Sequence, residues 1–116
     1  MTIIIHRIRL HDGVEADRFE KWVREVDYAT CPELPSVLAF DVQRVAAASP
    51  GPSVGAGPAG TDGPLHYFEI IEVTSREEFE QDMESSQFQR LVADFGQLAE
   101  VVEEVTGERI GNGYQA

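Results

Sequence analysis

The stretch that decides the fold is Thr2–Leu10, TIIIHRIRL. It reads as a β-strand, because branched apolar residues crowd it and no turn residue interrupts it. Successive side chains on a strand point to opposite faces, so Ile4, His6 and Ile8 share one face and Ile3 and Ile5 the other. The strand is therefore apolar on both faces at its start. A second stretch, LHYFEIIEV at Leu65–Val73, has the same character: Ile71 and Val73 oppose Phe68 and Ile70. Two such strands belong in the middle of a sheet covered on both sides.

Working outward, Asp12-Gly-Val-Glu15 has the pattern of a capping box, and Ala16, Phe19, Trp22, Val23 and Val26 follow at helical spacing. Cys31-Pro32 should end that helix, since proline cannot continue it. Val37–Val45 reads as a second strand. Ser75-Arg-Glu-Glu78 is another capping box, with Phe79, Asp82 and Met83 on one helical face. Ser85-Ser86 can cap a further helical segment in which Phe88, Leu91, Val92, Phe95, Leu98 and Val102 recur. GERIGNGY, Gly107–Tyr114, reads as a short final strand, and the helix end and strand start around Val101–Gly107 stay open.

The order β-α-β-β-α-β predicts an α+β, ferredoxin-like fold over residues 1–116 as one domain, with strands one and three central and parallel. Two helices cover one face of such a sheet, and no sequence remains to cover the other. A second copy of the chain is the economical cover, giving a homodimeric α/β barrel.

Net charge is −12 and Lys21 is the only lysine, which disfavours nucleic acid and anionic membrane surfaces as partners. Cys31 is the single cysteine, so no intramolecular disulfide forms. No basic segment leads into a long apolar run at the N-terminus, and the expectation is a cytoplasmic protein. The segment 47–63 is rich in Gly and Pro and is expected to be a mobile loop. It contains a formal G-x-G-x-x-G at Gly55–Gly60. That match is rejected as a nucleotide site, because proline and a strand follow it where a helix is needed. No group of His, Cys or carboxylates has the spacing of zinc ligands, so no metal is expected.

IIHRIRLHDGV, WVREVDYATCPELPSV, HYFEIIEVTSREEFEQDME and VVEEVTGERIGNGY together cover nearly all of the chain outside the Gly/Pro segment. In these stretches the sequence resembles the RedY-like (HapK-like) family, small proteins found with bacterial prodigiosin-type and related alkaloid pathways. The resemblance implies a dimeric α/β barrel that assists a condensation, cyclisation or dehydration in secondary metabolism. The partner implied is a small aromatic, pyrrole- or indole-type intermediate. A looser similarity is to dimeric α/β-barrel polyketide cyclases, which need no metal or organic cofactor and hold their pocket between sheet and helices. Their catalytic tyrosine and histidine are not carried over: Asp82 stands at the first position, and Gln87 or Phe88 at the second.

The barrel-cyclase similarity selects the Ile4, His6, Ile8 face as the one under the helices, and on strand three it selects Tyr67, Glu69 and Ile71. With Thr2 level with Leu65 on a parallel neighbour, His6 lies level with Glu69, one strand spacing of about 4.8 Å away. The two are expected to form a hydrogen-bonded catalytic pair, with Asp82 as a third polar member on the helix above. A carboxylate beside an imidazole fixes its tautomer and raises its basicity. Base and acid together are the minimum for attack followed by loss of water. The structural alternative is that His6 and Glu69 satisfy each other in the core. His66 has the opposite parity to Glu69 and is expected about four residues, roughly 13 Å, behind His6.

Glu20, Arg24, Asp27 or Tyr28, and Cys31 share a polar stripe on the first helix, read as a solvated face with a Glu20–Arg24 surface pair. Substrate contacts are expected from Trp22, from Tyr28 and Cys31 folding over the pocket mouth, from Tyr67 and from Phe88. The reading is a cofactor-independent cyclase or dehydrating condensation enzyme. The alternatives are a cofactor-independent monooxygenase and a non-catalytic carrier of a reactive intermediate.

Overall fold

The computed structural model describes residues 2–45 and 66–116, so Leu65 and the expectations for segment 47–63 lie outside the described residues. Strand β1 is Thr2–Leu10. A helical run follows in four parts: α1 (Ala16–Trp22), a π-helical turn (Val23–Asp27), the short α2 (Tyr28–Thr30) and a 3₁₀ turn (Cys31–Glu33). Then come β2 (Val37–Arg44), β3 (Tyr67–Val73), α3 (Arg76–Asp82), α4 (Ser86–Leu98) and β4 (Ala99–Glu108).

The sheet order is β2-β3-β1-β4, an α+β, ferredoxin-like arrangement. The expectation of parallel central strands is corrected: β1 and β3 are antiparallel, with Thr2 opposite Val73 and Ile8 opposite Tyr67. The topology explains why. β1 and β2 flank the inserted β3, which returns from β2 as an antiparallel neighbour and so opposes β1 as well. His6 nevertheless lies opposite Glu69, because that pair is the pivot about which the two registers coincide.

The helix-facing side of the sheet is the buried one. Ile4, Ile8, Tyr67, Glu69, Ile71 and Val73 are all buried, as strand parity requires. Two apolar clusters divide this layer. Ile8, Phe19, Val23, Tyr67, Leu98 and Ala99 pack at one end, and Ile4, Ile71, Val73 and Phe79 at the other. On the opposite face Ile3, Ile5, Phe68 and Ile70 are only partly covered. Ion pairs from Arg7 to Glu103 and from Arg9 to Glu100 cross that face between β1 and β4.

Of the box at Ser75 the N-cap half forms: the Ser75 hydroxyl accepts from the Glu78 amide at 3.0 Å, and the Glu78 carboxylate meets that hydroxyl at 3.3 Å. Ser85 caps α4 through the Phe88 amide at 3.2 Å. The box at Asp12 does not form. Gly13 takes φ 86°, a turn separates the strand from the helix, and Glu15 stands at the N-cap without a side-chain bond. The last strand also starts earlier than GERIGNGY suggests. β4 begins at Ala99, directly after α4, and ends at Glu108 before turns at Gly111 and Gly113. The run VVEEV is thus strand.

Candidate functional site

A cavity of about 220 Å³ opens between the helices and the sheet. Trp22, Phe40, Phe79, Phe88 and Phe95 supply aromatic wall, with Leu34, Ile71 and Met83 among the aliphatic lining. Its polar groups are His6, Asp27, Cys31, Glu69 and Glu104, and no lysine or arginine of the described residues lines it.

His6 projects from the middle of β1 with a carboxylate at each ring nitrogen. Nδ1 lies 2.5 Å from Glu69 Oε1 on β3, and Nε2 lies 2.7 Å from Glu104 Oε2 on β4. Both contacts follow from register, since His6 is directly opposite Glu69 on one side and Glu104 on the other. Burial by itself would depress the histidine pKa. The hydrogen bond and charge of Glu69, then those of Glu104, outweigh that and raise it. The Glu104 carboxyl is held below the ordinary range, first by its hydrogen bond to His6. The two carboxylates differ in setting: Glu69 is buried, whereas the Glu104 side chain is 42% exposed at the rim and also meets Arg76 NH1 at 3.2 Å.

Asp27 is the residue the sequence reading missed. It is 4% exposed, lines the same cavity, and makes no side-chain hydrogen bond among the described residues. Desolvation first, then the charge of Glu69, push its carboxyl up to about 8. The π turn accounts for the miss. Wider turns advance the helix less per residue, so α-helical counting places Asp27 on the outer polar stripe while the observed turn brings it inward. Cys31 lies on the same cavity. Burial, with the charges of Asp27 and Glu69, raises its thiol to about 12, which removes the thiolate a nucleophile needs.

Asp82, expected as the third catalytic member, is not in this cavity. Its carboxylate accepts from the Ser36 amide at 2.8 Å and from the Ser36 hydroxyl, tying the end of α3 to the start of β2. Buried Ser36 supplies two donors there, and the carboxylate goes to them. Trp22, Cys31 and Phe88 do line the cavity with His6 and Glu69. Trp22 Nε1 is buried with no hydrogen-bond partner among the described residues.

Tyr28 and Tyr67 line a separate, smaller cavity of about 110 Å³ with Phe19, Glu20, Val42 and Arg44. Tyr67 donates to Glu20 at 2.6 Å, and Arg44 holds the same carboxylate through Nε at 2.8 Å and NH2. Glu20 therefore pairs with Arg44 across the fold and not with Arg24 along the helix. Its carboxyl is lowered to about 2 by the Arg44 hydrogen bond and then that of Tyr67. The Tyr28 hydroxyl is occupied by the Val42 amide at 3.0 Å. His66, misplaced by the parallel expectation, sits beside the end of β1, its Nδ1 accepting from the Leu10 amide at 3.0 Å.

Among the described residues no three His, Cys, Asp or Glu side chains form a metal-holding group, and no helix is long and apolar enough to cross a membrane.

Comparison with known proteins agrees with this architecture. HapK from Hahella chejuensis is similar over the whole chain: 49% identity, TM-score 0.81, covering 100% of this chain and 99% of that one. SnoaB, a cofactor-independent oxygenase from Streptomyces nogalater, shares the fold at 15% identity and TM-score 0.67, covering 96% of this chain and 94% of its own. A dimeric ferredoxin-like protein of unknown function from Thermobifida fusca shares it at 11% identity and TM-score 0.61, covering 91% and 86%. No curated protein matches the chain. The family model described as REDY-like protein HapK matches residues 2–110, and the chain belongs to that family.

Proposed function

We propose that the protein is a cofactor-independent condensation enzyme that joins or closes pyrrole- or indole-type intermediates with loss of water. The observation that carries this is the His6 imidazole held by Glu69 at the floor of an aromatic-walled cavity. Aromatic walls suit a flat heterocycle. Carboxylates without lysine or arginine favour a neutral or cationic ligand with N–H donors over an anion. His6 is the base. Glu69 fixes the ring and stabilises the imidazolium formed when His6 takes a proton from carbon. Glu104, exposed at the rim, yields Nε2 to the substrate. Asp82, Tyr28 and Tyr67 have no part in this chemistry.

The working unit is a homodimer, in which a second copy covers Ile3, Ile5, Phe68 and Ile70 on the open sheet face. The dimeric fold relative supports that reading. A monomeric mass by light scattering at micromolar concentration would remove it.

Purified protein incubated with an indolylmethanol and indole, with products read by mass spectrometry, tests the reaction. A catalysed product lighter by one water than the summed reactants is expected. Gain of an oxygen atom would favour the oxygenase reading, which the SnoaB fold likeness keeps as the second choice. Saturable binding with no product would make the protein a carrier.

A further inference from the structure

We propose that Asp27 is a second catalytic residue of this site, a carboxylic acid that protonates the departing hydroxyl group while His6 takes the proton from carbon. The inference rests on the condensation reading above and adds the acid that reading lacks.

Three observations carry it. The π turn Val23–Asp27 directs Asp27 into the cavity that holds His6 and Glu69. Asp27 is only 4% exposed as a residue, and its carboxyl makes no hydrogen bond among the described residues. Its oxygens are not among the fully enclosed side-chain atoms without a partner, so the group borders the cavity and is free to meet a ligand there. Finally, every titratable group that lines the cavity with it is neutral or negative unless His6 is protonated. Glu69 faces it from β3, His6 from β1, Glu104 from β4 and Cys31 from the next turn, while α4 presents only Phe88, Leu91, Val92 and Phe95. No lysine or arginine of the described lining favours ionised Asp27; burial and then the charge of Glu69 raise its carboxyl to about 8, which leaves it protonated near neutral pH. Glu20, about two helical turns earlier, shows what the same helix does with a carboxylate meant to stay charged: it is given Arg44.

The step balances. The C–O bond of the carbinol breaks, and the hydroxyl leaves as water with the Asp27 proton. The ring carbon of the second heterocycle forms the new C–C bond, and His6 takes the proton that this carbon loses. Asp27 is left a carboxylate and His6 an imidazolium. Glu69 contacts the imidazolium and its charge acts on Asp27, so it is placed to return the proton from one to the other.

The test uses wild type, Asp27→Asn, Asp27→Glu and His6→Gln, with an indolylmethanol plus indole as probe and infrared spectra recorded without substrate. Wild type should show a protonated-carboxyl band near neutral pH that fades through about pH 8 and is missing in Asp27→Asn. Turnover of Asp27→Asn should fall by on the order of 10²-fold, the lower end of what a positioned acid supplies. The alkaline limb of the rate profile should vanish with it, and Asp27→Glu should recover part of the rate. Absence of the band overturns the proposal, as does a folded Asp27→Asn with wild-type turnover and pH profile. If Asp27→Asn does not fold, an alkaline limb unmoved in Asp27→Glu overturns it. Turnover that needs His6 but not Asp27 defeats only the acid role. A wild-type protein that converts no carbinol, band present or not, defeats the condensation reading and the acid role together.

Discussion

Glu20 and Asp27 leave the same helical run about two turns apart, and their surroundings drive them in opposite directions. Glu20 meets Arg44 and Tyr67 and is lowered to about 2. Asp27 meets apolar walls and another carboxylate and is raised to about 8. One cavity is electrically satisfied and the other is not. In the first, Glu20, Arg44, Tyr67 and Tyr28 hold one another or the backbone, and Arg24 adds its charge beside Glu20, so the cluster is a fastening. In the second, the histidine is held between two carboxylates and a third acid has no hydrogen-bond partner among the described residues, the arrangement that the proposed proton transfers would use. The contrast teaches that the direction of a pKa shift, with the partner that causes it, separates polar groups that hold the fold from those left for chemistry.

The largest effect should come from the unsatisfied cavity. His6→Gln is expected to keep the fold and to lower turnover by ~10²–10⁴, the usual worth of a positioned base. Steady-state kinetics on protein of unchanged circular dichroism checks this, and wild-type turnover would erase the distinction between the two cavities.

Next is the pH dependence of stability, where the two carboxylates should act with opposite sign. Asp27 is raised from 3.8 to about 8, so the folded state holds a proton that the unfolded state has lost. Its contribution is present at low pH and is lost as pH rises through that window. His6, also raised, adds loss in the same direction above 6.5. Melting temperature should therefore fall between about pH 4 and 8, and Asp27→Asn should flatten much of that slope. A wild-type slope retained in Asp27→Asn would assign the dependence elsewhere.

Glu20 gives the mirror image. Its contribution is present above 4.5 and is lost as pH falls toward 2. Glu20→Gln should lower the melting temperature by a few degrees at neutral pH, converge with wild type near pH 2, and leave turnover unchanged. Much of this pair is exposed, so the effect is smaller than that at Asp27.

The smallest effect is expected at the rim. Glu104 helps to raise the His6 pKa, so Glu104→Gln should move the acidic limb of the rate profile to lower pH with little change in maximal rate. A loss of rate matching that of His6→Gln would place Glu104 in the chemistry itself.

What the sequence disclosed follows the same divide. Strand parity together with the barrel-cyclase similarity puts His6 and Glu69 on one face, and their pairing survives a wrong strand direction because both registers cross at that pair. The doubly apolar central strands pointed to the right sheet. Glu104 is hidden in the sequence because VVEEV falls on the open boundary between helix and final strand; its branched residues are the signal that it is strand. Asp27 was hidden because periodicity assumes one turn width, and the π turn breaks that assumption at the residue that matters. Asp82 was misplaced because helical facing says which side a residue takes but not which donors meet it there; those of Ser36 come from across the fold.

The most direct test of the central claim, that His6 and Glu69 move protons as one unit, is a double-mutant cycle on turnover. It uses His6→Gln, Glu69→Gln and the double variant, each with its melting temperature measured on the same sample. The account predicts that each single loses a comparable factor and that the double loses little more than either, since residues acting as one unit are non-additive. Folded singles that keep wild-type turnover while melting lower would contradict it, and would leave the pair only the task of satisfying each other in the core.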